Sequence, residues 1–210
     1  MSSGPLDPVR AALAAIVRSL NEHGAPYMVI GGVAIGQLTE PRATRDVDIS
    51  LWLDDDAKLP RLLDILARHG LTPRVAKAIE FATANRILLL IHTASRVGVD
   101  VALAVTPYEE EAIRNAHSVD YEEHGLALPL PRPEDLVVMK AVAHRDQDLA
   151  DIAKVLAFFP ELDVSYVRRR AREFADAIGD PEVLSELERV LRRARPEAKK
   201  RRKQTPRQRP

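Results

Sequence analysis

The chain has 210 residues, 46% of them hydrophobic and 30% charged, which is enough for a substantial core and typical of a globular protein. The absence of cysteine excludes disulfides and thiolate metal sites, and the balanced formal charge excludes a strongly basic or acidic protein overall. The first ten residues lack a signal-peptide pattern and the most apolar run, residues 87–91, is too short to cross a bilayer, so we expect a cytoplasmic protein that does not enter a membrane.

The first elements are predicted from caps and apolar spacing. A helix is predicted from Asp7-Pro8 to Gly24, since Asp caps the free N–H groups, Pro suits the first turn and Gly ends the helix. Alternation of apolar and polar residues over 46–51 predicts a half-buried strand. Between them we predict a strand over Tyr27–Ile30, the pair Gly31-Gly32, a short helix over residues 33–38 and a loop over residues 40–45.

In the middle of the chain, the residue pattern predicts one helix, a hairpin and a second helix. Leucines and isoleucines at helical spacing predict a helix through residues 59–66 that ends at Gly70. Two strands over residues 86–93 and 97–105, joined at residues 94–96, read as a hairpin, and a helix begins at Pro107. Weaker strands are predicted over His117–Tyr121 and Leu126–Leu130.

The character of the chain changes near residue 132. Residues 1–131 form an α+β domain, and residues 132–195 are helical, with helix starts at Pro133, Asp163 and Asp180. Residues 196–210 are predicted to be a disordered basic tail. From residue 192 onward there are ten Lys or Arg and one Glu, which favours an anionic partner such as RNA; a solvated terminus without a partner explains the tail equally well.

Asp46 and Asp48 lie two residues apart on a predicted strand. Their carboxylates therefore project from one face, with Cα atoms roughly 6–7 Å apart. Two like charges held on a strand repel each other, and Mg²⁺, which prefers carboxylate and phosphate oxygens, would compensate them. Asp-x-Asp by itself is common, and either residue can instead cap a turn or face solvent.

Asp100 is the third candidate metal ligand. It lies in residues 97–103, where Val and Leu occupy one face and Gly98, Asp100 and Ala102 the other. A charged side chain in so apolar a strand needs a partner or a metal ion. If this strand pairs with residues 46–51, three carboxylates converge and can hold two Mg²⁺ ions about 3.5–4 Å apart, as in phosphoryl-group displacement.

The pair Gly31-Gly32 adds a candidate phosphate site. Glycine lets the backbone approach a phosphate closely, and the N-terminus of the following helix adds N–H donors. A tight structural turn is the alternative. A dinucleotide fingerprint and a P-loop are both excluded, because Val33 replaces the middle glycine of the first and Gln37-Leu38 replaces the Lys-Ser/Thr of the second.

In this order the motifs resemble the DNA polymerase β-like nucleotidyltransferase superfamily. Its pattern is an apolar strand, Gly-Gly or Gly-Ser, a short helix, Asp-x-Asp/Glu on a strand and a later third Asp, and here the aspartates are Asp46, Asp48 and Asp100. Thr44 before them is similar to the Thr-x-Asp-x-Asp run of the AbiEii-type, minimal branch. The resemblance implies an α+β fold with a mixed sheet flanked by helices and followed by a helical region.

The helical half carries a second resemblance to the same branch. Residues 133–140 and 145–152 resemble its Asp-Leu-x-x-x-Lys and Arg-x-x-Asp-Leu-x-Asp segments. This implies that Lys140 contacts the nucleotide phosphate in catalysis and that Asp148 or Asp151 positions the nucleotide, while Arg45 is assigned to nucleotide binding with the two glycines. From the residues alone, Lys140 and Arg145 can equally be solvent-facing charges paired with nearby acids.

The resemblance implies a Mg²⁺-dependent nucleotidyltransferase. An NTP would lie on Gly31 and Gly32, and Asp100 would help to deprotonate an acceptor hydroxyl that attacks the α-phosphorus. Such proteins modify RNA (including tRNA), proteins or small molecules, and some are toxins with an antitoxin as partner; the basic tail favours RNA here. The alternative to an enzyme is a non-catalytic module that binds a nucleotide or RNA.

Overall fold

A computed structural model describes residues 7–41, 43–121 and 125–204, with side chains to residue 194. The chain divides into two units, residues 1–132 and 133–210. The first unit has the predicted α+β character and the second is helical, which confirms the fold class. Among the described residues, no helix is both long and apolar enough to cross a membrane.

The first unit begins with the predicted helix and strand. Asp7 caps helix α1 by accepting from the Val9 N–H at 3.0 Å, and Gly24 ends it with φ at 82°. The second helix begins at Gly31 rather than Val33, so the glycine pair forms its first turn. The elements of this unit are α1 (Pro8–His23), β1 (Tyr27–Ile30), α2 (Gly31–Leu38), β2 (Asp46–Trp52), α3 (Leu59–Arg68), β3 (Leu71–Pro73), α4 (Ala78–Asn85), β4 (Ile87–His92), β5 (Val97–Ala104), α5 (Pro107–Arg114), β6 (His117–Tyr121) and β7 (Leu126–Leu130).

Five strands form a mixed sheet in the order β1-β2-β5-β4-β3. Strands β2 and β5 run parallel, and the other neighbours are antiparallel. Helix α1 packs against β2 and β5, and the alternate residues Val47, Ile49 and Val99 are fully buried. The hairpin of β4 and β5 is as predicted, whereas β3 and α4 were not predicted. Strands β6 and β7 pair as a separate antiparallel ribbon.

The second unit consists of helices α6 (Pro133–Ala143), α7 (Asp146–Phe158), α8 (Val164–Ile178) and α9 (Glu182–Gln204). Asp163 caps α8 by accepting from the N–H groups of Ser165 and Tyr166, as expected for a helix start. Helix α9 extends to Gln204 and so reaches into the tail predicted over residues 196–210, whose disorder stays a prediction. Residues 205–210 of the predicted tail lie outside the described residues.

Candidate active site

The register of β2 and β5 brings two of the predicted aspartates side by side. Asp48 is the pairing partner of Asp100, and Asp46 is the partner of Gly98. Partners on neighbouring strands share a face and lie about 4.8 Å apart. Asp48 and Asp100 are half-buried and Asp46 is exposed. The three carboxylates therefore belong to one face of the sheet, opposite the buried face that carries Val47 and Val99.

Gly31 lies directly against the Asp48 carboxylate. Its neighbour Ile30 pairs with Asp48 across β1 and β2, and Gly31 itself has φ at 63°, in the left-handed region. A Cβ built on Gly31 would stand 1.9 Å from Asp48 Oδ2. No side chain fits in that space, so glycine is required here for two independent reasons, the backbone conformation and the close approach. Gly32, the next residue, is buried.

Asp46 has a hydroxyl as a partner and Asp100 has a guanidinium. Thr44 Oγ1 donates to Asp46 Oδ1 at 3.2 Å and is equally far from the Asp46 carbonyl oxygen. Arg74 Nη2 donates to Asp100 Oδ1 in an ion pair whose side chains are 37% and 34% exposed. Sequence reasoning missed Arg74, since it follows the unpredicted strand β3, which has only three residues and ends in proline.

The three carboxylates share a face without forming a preassembled metal cluster. Within the described residues, no three His, Asp or Glu side chains are grouped closely enough in their present orientations to hold one ion. Asp46 is turned toward Thr44 and Asp100 toward Arg74. The donor set still suits Mg²⁺, because it consists of carboxylate oxygens on neighbouring strands, beside a glycine whose missing side chain leaves the Asp48 carboxylate its space.

Lys140, Asp148 and Asp151 form a second charged cluster, which lies within the helical unit. Lys140 Nζ is 2.7 Å from Asp148 Oδ1 and 3.3 Å from Asp151 Oδ2, and Arg145 Nε is 2.6 Å from Asp148 Oδ2. Both aspartate side chains are 1% exposed and Lys140 is 13% exposed. Lys140 is therefore not a solvent-facing charge, whereas Arg145 is 76% exposed.

The environment of Asp148 favours its charged form. Burial raises the pKa of this carboxyl, but hydrogen bonds from Arg145 and Lys140 outweigh burial and leave the pKa below its usual value. A carboxylate that is held charged inside a protein by two cations is expensive to expose or to unpair. The cluster is accordingly a fixed part of the helical unit.

The predicted site residues thus fall into groups. Asp46, Asp48, Asp100 and Gly31 meet on the sheet, and Lys140, Asp148 and Asp151 meet in the helical unit. Arg45 is exposed and directly precedes β2.

Comparison with known proteins gives a family and a fold. The family model described as "nucleotidyltransferase of unknown function (DUF6036)" matches residues 9–201. No curated protein matches the sequence.

Among solved structures, the solution structure of the antibiotic-resistance factor ANT(2'')-Ia matches with a TM-score of 0.56 and 14% identity, over 83% of this chain and 95% of that chain. The crystal structure of ANT(2'')-Ia in complex with adenylyl-2''-tobramycin matches with a TM-score of 0.53 and 14% identity, over 80% of this chain and 97% of that chain. The nucleotidyltransferase toxin MenT4 from Mycobacterium tuberculosis matches with a TM-score of 0.47 and 18% identity, over 82% of this chain and 68% of that chain. The two ANT(2'')-Ia structures, with TM-scores above 0.5, show a shared fold.

Proposed function

The chain belongs to the DUF6036 family of nucleotidyltransferases, and from this premise we propose that it transfers a nucleoside monophosphate from an NTP to an acceptor hydroxyl. One observation carries the proposal: Asp48 and Asp100 are partners on parallel strands, and Gly31 lies against the Asp48 carboxylate. Carboxylates beside a helix N-terminus can hold a cation and a polyphosphate next to each other.

We assign the metal-holding role to Asp46, Asp48 and Asp100, with Mg²⁺ as the ion. When bound, Mg²⁺ supplies positive charge that polarises the phosphoryl oxygens and offsets the charge that develops on the leaving group. All three project from one sheet face, and we propose that rotation of the Asp46 and Asp100 side chains brings them to the ion at Asp48.

The remaining steps fall to the residues of the chain. Gly31 and Gly32 offer backbone N–H groups of the first turn of α2 to the β- and γ-phosphates, assisted by Arg45. Asp100 accepts the proton of the acceptor hydroxyl, whose oxygen forms a bond to the α-phosphorus as the bond to pyrophosphate breaks. Positioning and charge compensation provide most of the acceleration. A nucleotide-binding role for Lys140, Asp148 and Asp151 stays a prediction of the family resemblance; within the helical unit Lys140 lies within ion-pair distance of both aspartates.

Transfer can be tested with each α-labelled NTP, Mg²⁺ and separate pools of total RNA, protein and small molecules. The wild type should label one pool, whereas Asp48→Asn should lose at least about a hundredfold in rate, because it removes a ligand of the ion that stabilises charge in the transition state. Asp54→Asn is a matched control, since Asp54 is an exposed carboxylate of the same unit, 2.6 Å from Lys58 Nζ. Equal labelling by wild type and Asp48→Asn contradicts the assignment.

RNA, including tRNA, is the acceptor we propose. The support is the ten Lys or Arg among residues 192–210, which oppose a single Glu. Binding to RNA phosphates releases counterions, so affinity should fall steeply with salt, and deletion of residues 195–210 should flatten that dependence. A salt-independent acceptor, or label in the protein or small-molecule pool, contradicts RNA and leaves transfer itself intact.

A toxin role, with an antitoxin protein as partner, is a consequence that can be tested in cells. Modification of an essential RNA would arrest growth when the protein is expressed alone, and Asp48→Asn would not. The alternative to an enzyme is a nucleotide- or RNA-binding module. That module would bind the same ligands without Mg²⁺-dependent release of pyrophosphate, which the assay above measures.

A further inference from the structure

Arg74 lies on the same transverse row of the sheet as the two paired aspartates. Asp48 pairs with Asp100, and Asp100 pairs with Leu89 of β4. Arg74 comes one residue after the end of β3, and its N–H donates to the Leu89 carbonyl oxygen at 2.9 Å. The row therefore runs Asp48, Asp100, Leu89, Arg74 across four neighbouring strands. Arg74 must reach back across β4 to meet Asp100, and only a long side chain can do so.

The guanidinium of Arg74 lies near two positions on β5, Gly98 and Asp100. Its Nη2 donates to Asp100 Oδ1, and its Nη1 lies 3.5 Å from the point where a Cβ on Gly98 would be. Gly98 is the pairing partner of Asp46. The positive group thus lies at Asp100 and beside Gly98 on β5, next to the strand that carries Asp46 and Asp48.

Binding of a guanidinium and a divalent cation to the Asp100 carboxylate at the same time is electrostatically unfavourable. Both are positive, so they repel each other when they are held a few ångströms apart by one Asp side chain. Arg74 also has an effect that favours metal binding, because it fixes the orientation of the Asp100 carboxylate before a cation binds there. Asp has few rotatable bonds and the pair is about one-third exposed, so this ordering effect is small, and repulsion decides the sign.

We infer that Arg74 competes with a divalent cation for Asp100: it neutralises this carboxylate in the metal-free protein and releases it when the cation enters. The inference rests on the proposed function, since it takes the cation site as given. It accounts for the finding that the carboxylates of the described residues share a face but are not grouped as ligands. Metal entry then requires the exchange of one positive partner for another at Asp100.

The test is titration of the full chain with Mn²⁺, without nucleotide, followed by electron paramagnetic resonance of the free ion. Arg74→Gln should bind Mn²⁺ roughly two- to fivefold more tightly than the wild type, because the competing ion pair is gone. Arg74→Lys should stay close to the wild type, because it keeps the charge. Arg86→Gln is a matched control: Arg86 pairs with Asp56 at 2.9 Å and the two side chains are 32% and 35% exposed, much as in the Arg74 pair.

The possible outcomes separate this inference from the proposed function. Unchanged or weaker Mn²⁺ binding by Arg74→Gln overturns the exchange at Asp100, provided that Asp48→Asn weakens binding. If the wild type binds no Mn²⁺, or Asp48→Asn binds it as well as the wild type, the cation site itself is wrong. Tighter binding by Arg86→Gln as well would mean that net charge alone is responsible, which also overturns a specific role for Arg74. Circular dichroism of each variant establishes that it is folded.

Discussion

The two units differ in how far their aspartate side chains are buried and in how these are paired. In the helical unit, Asp148 and Asp151 are 1% exposed and lie within ion-pair distance of Lys140. On the sheet of the first unit, Asp46 is exposed, and Asp48 and Asp100 are half-buried beside solvent. The two buried aspartates share one mostly buried lysine, whereas Asp46 and Asp100 meet a hydroxyl and a guanidinium that side-chain rotation can withdraw.

This difference separates structural charge from charge that is available to a ligand. A buried, paired carboxylate cannot change partner without a large loss of stability, so its geometry is fixed before any substrate arrives. A half-exposed carboxylate pairs weakly and can exchange its partner for an ion or a phosphate-bound metal. The comparison predicts that substitutions in the helical cluster act mainly on stability and that substitutions on the sheet face act mainly on ligand binding and rate.

The largest expected effect is that of Lys140→Met. It leaves Asp148 and Asp151 buried with less compensation, and we expect the free energy of unfolding to fall by about 3 kcal/mol. Urea denaturation measures this. Lys154→Met is the control, since Lys154 lies 3.9 Å from Asp151 but is 55% exposed, and it should cost under about 1 kcal/mol. Equal losses in the two variants would mean that the cluster is not structural.

Gly31→Ala should have the next largest effect, and on rate rather than on the fold. The added methyl group would overlap Asp48 Oδ2 and displace the carboxylate, so kcat/KM for transfer should fall about a hundredfold. Gly24→Ala is the control, because Gly24 also has a positive φ, 82°, but nothing lies within 4 Å of its added Cβ. If both variants lose activity equally, backbone strain and not the contact with Asp48 explains the requirement for glycine.

A smaller effect is expected from acid. Because the pKa of Asp148 is lowered in the folded protein, its stabilising contribution is fully present above the unfolded pKa, near 4, and is lost as pH falls through the folded pKa. Carboxyl NMR titration should therefore place the Asp148 pKa below its usual value, and Lys140→Met should shift it upward. Titration of Asp148 at or above the usual value would contradict the pairing.

Thr44→Val should have the smallest effect. Thr44 Oγ1 donates to Asp46 from 3.2 Å at an exposed position, so its loss should cost only about 0.5 kcal/mol of stability. Mn²⁺ affinity should change less than twofold, since the hydroxyl orients only one carboxylate. A loss of transfer activity as large as that of Gly31→Ala would instead assign Thr44 a direct contact with substrate.

The carboxylate face could be predicted because its signals are local. Alternation along residues 46–51 places Asp46 and Asp48 on one side of a strand, and the same alternation singles out Asp100 in residues 97–103. The hairpin of β4 and β5 was predicted for the same reason. What the pattern did not contain was the register, which depends on how β2 and β5 pair through the whole fold.

Local sequence patterns could not predict the contact of Arg74 with Asp100 or the burial of Lys140. Strand β3 has three residues and ends at Pro73, too few for any periodicity, so nothing marked the following arginine as part of the sheet. Lys140 and Asp148 come from consecutive helices, separated by a break at His144, where φ is 33°. The sequence indicates helices there but not which of their faces meet, and it left open the solvent-facing alternative that the structure excludes.

The short turn between β4 and β5 has a consequence for how this protein can change over evolution. The Arg96 N–H donates to the His92 carbonyl oxygen at 2.8 Å, which closes the turn and fixes which residue of β5 faces which side. One inserted residue that shifted β5 by a single position would point Asp100 into the core and expose Val99 and Val101 to water. Insertions and deletions in this turn would then remove the fold and the chemistry together, so its length should vary far less than its amino-acid identities.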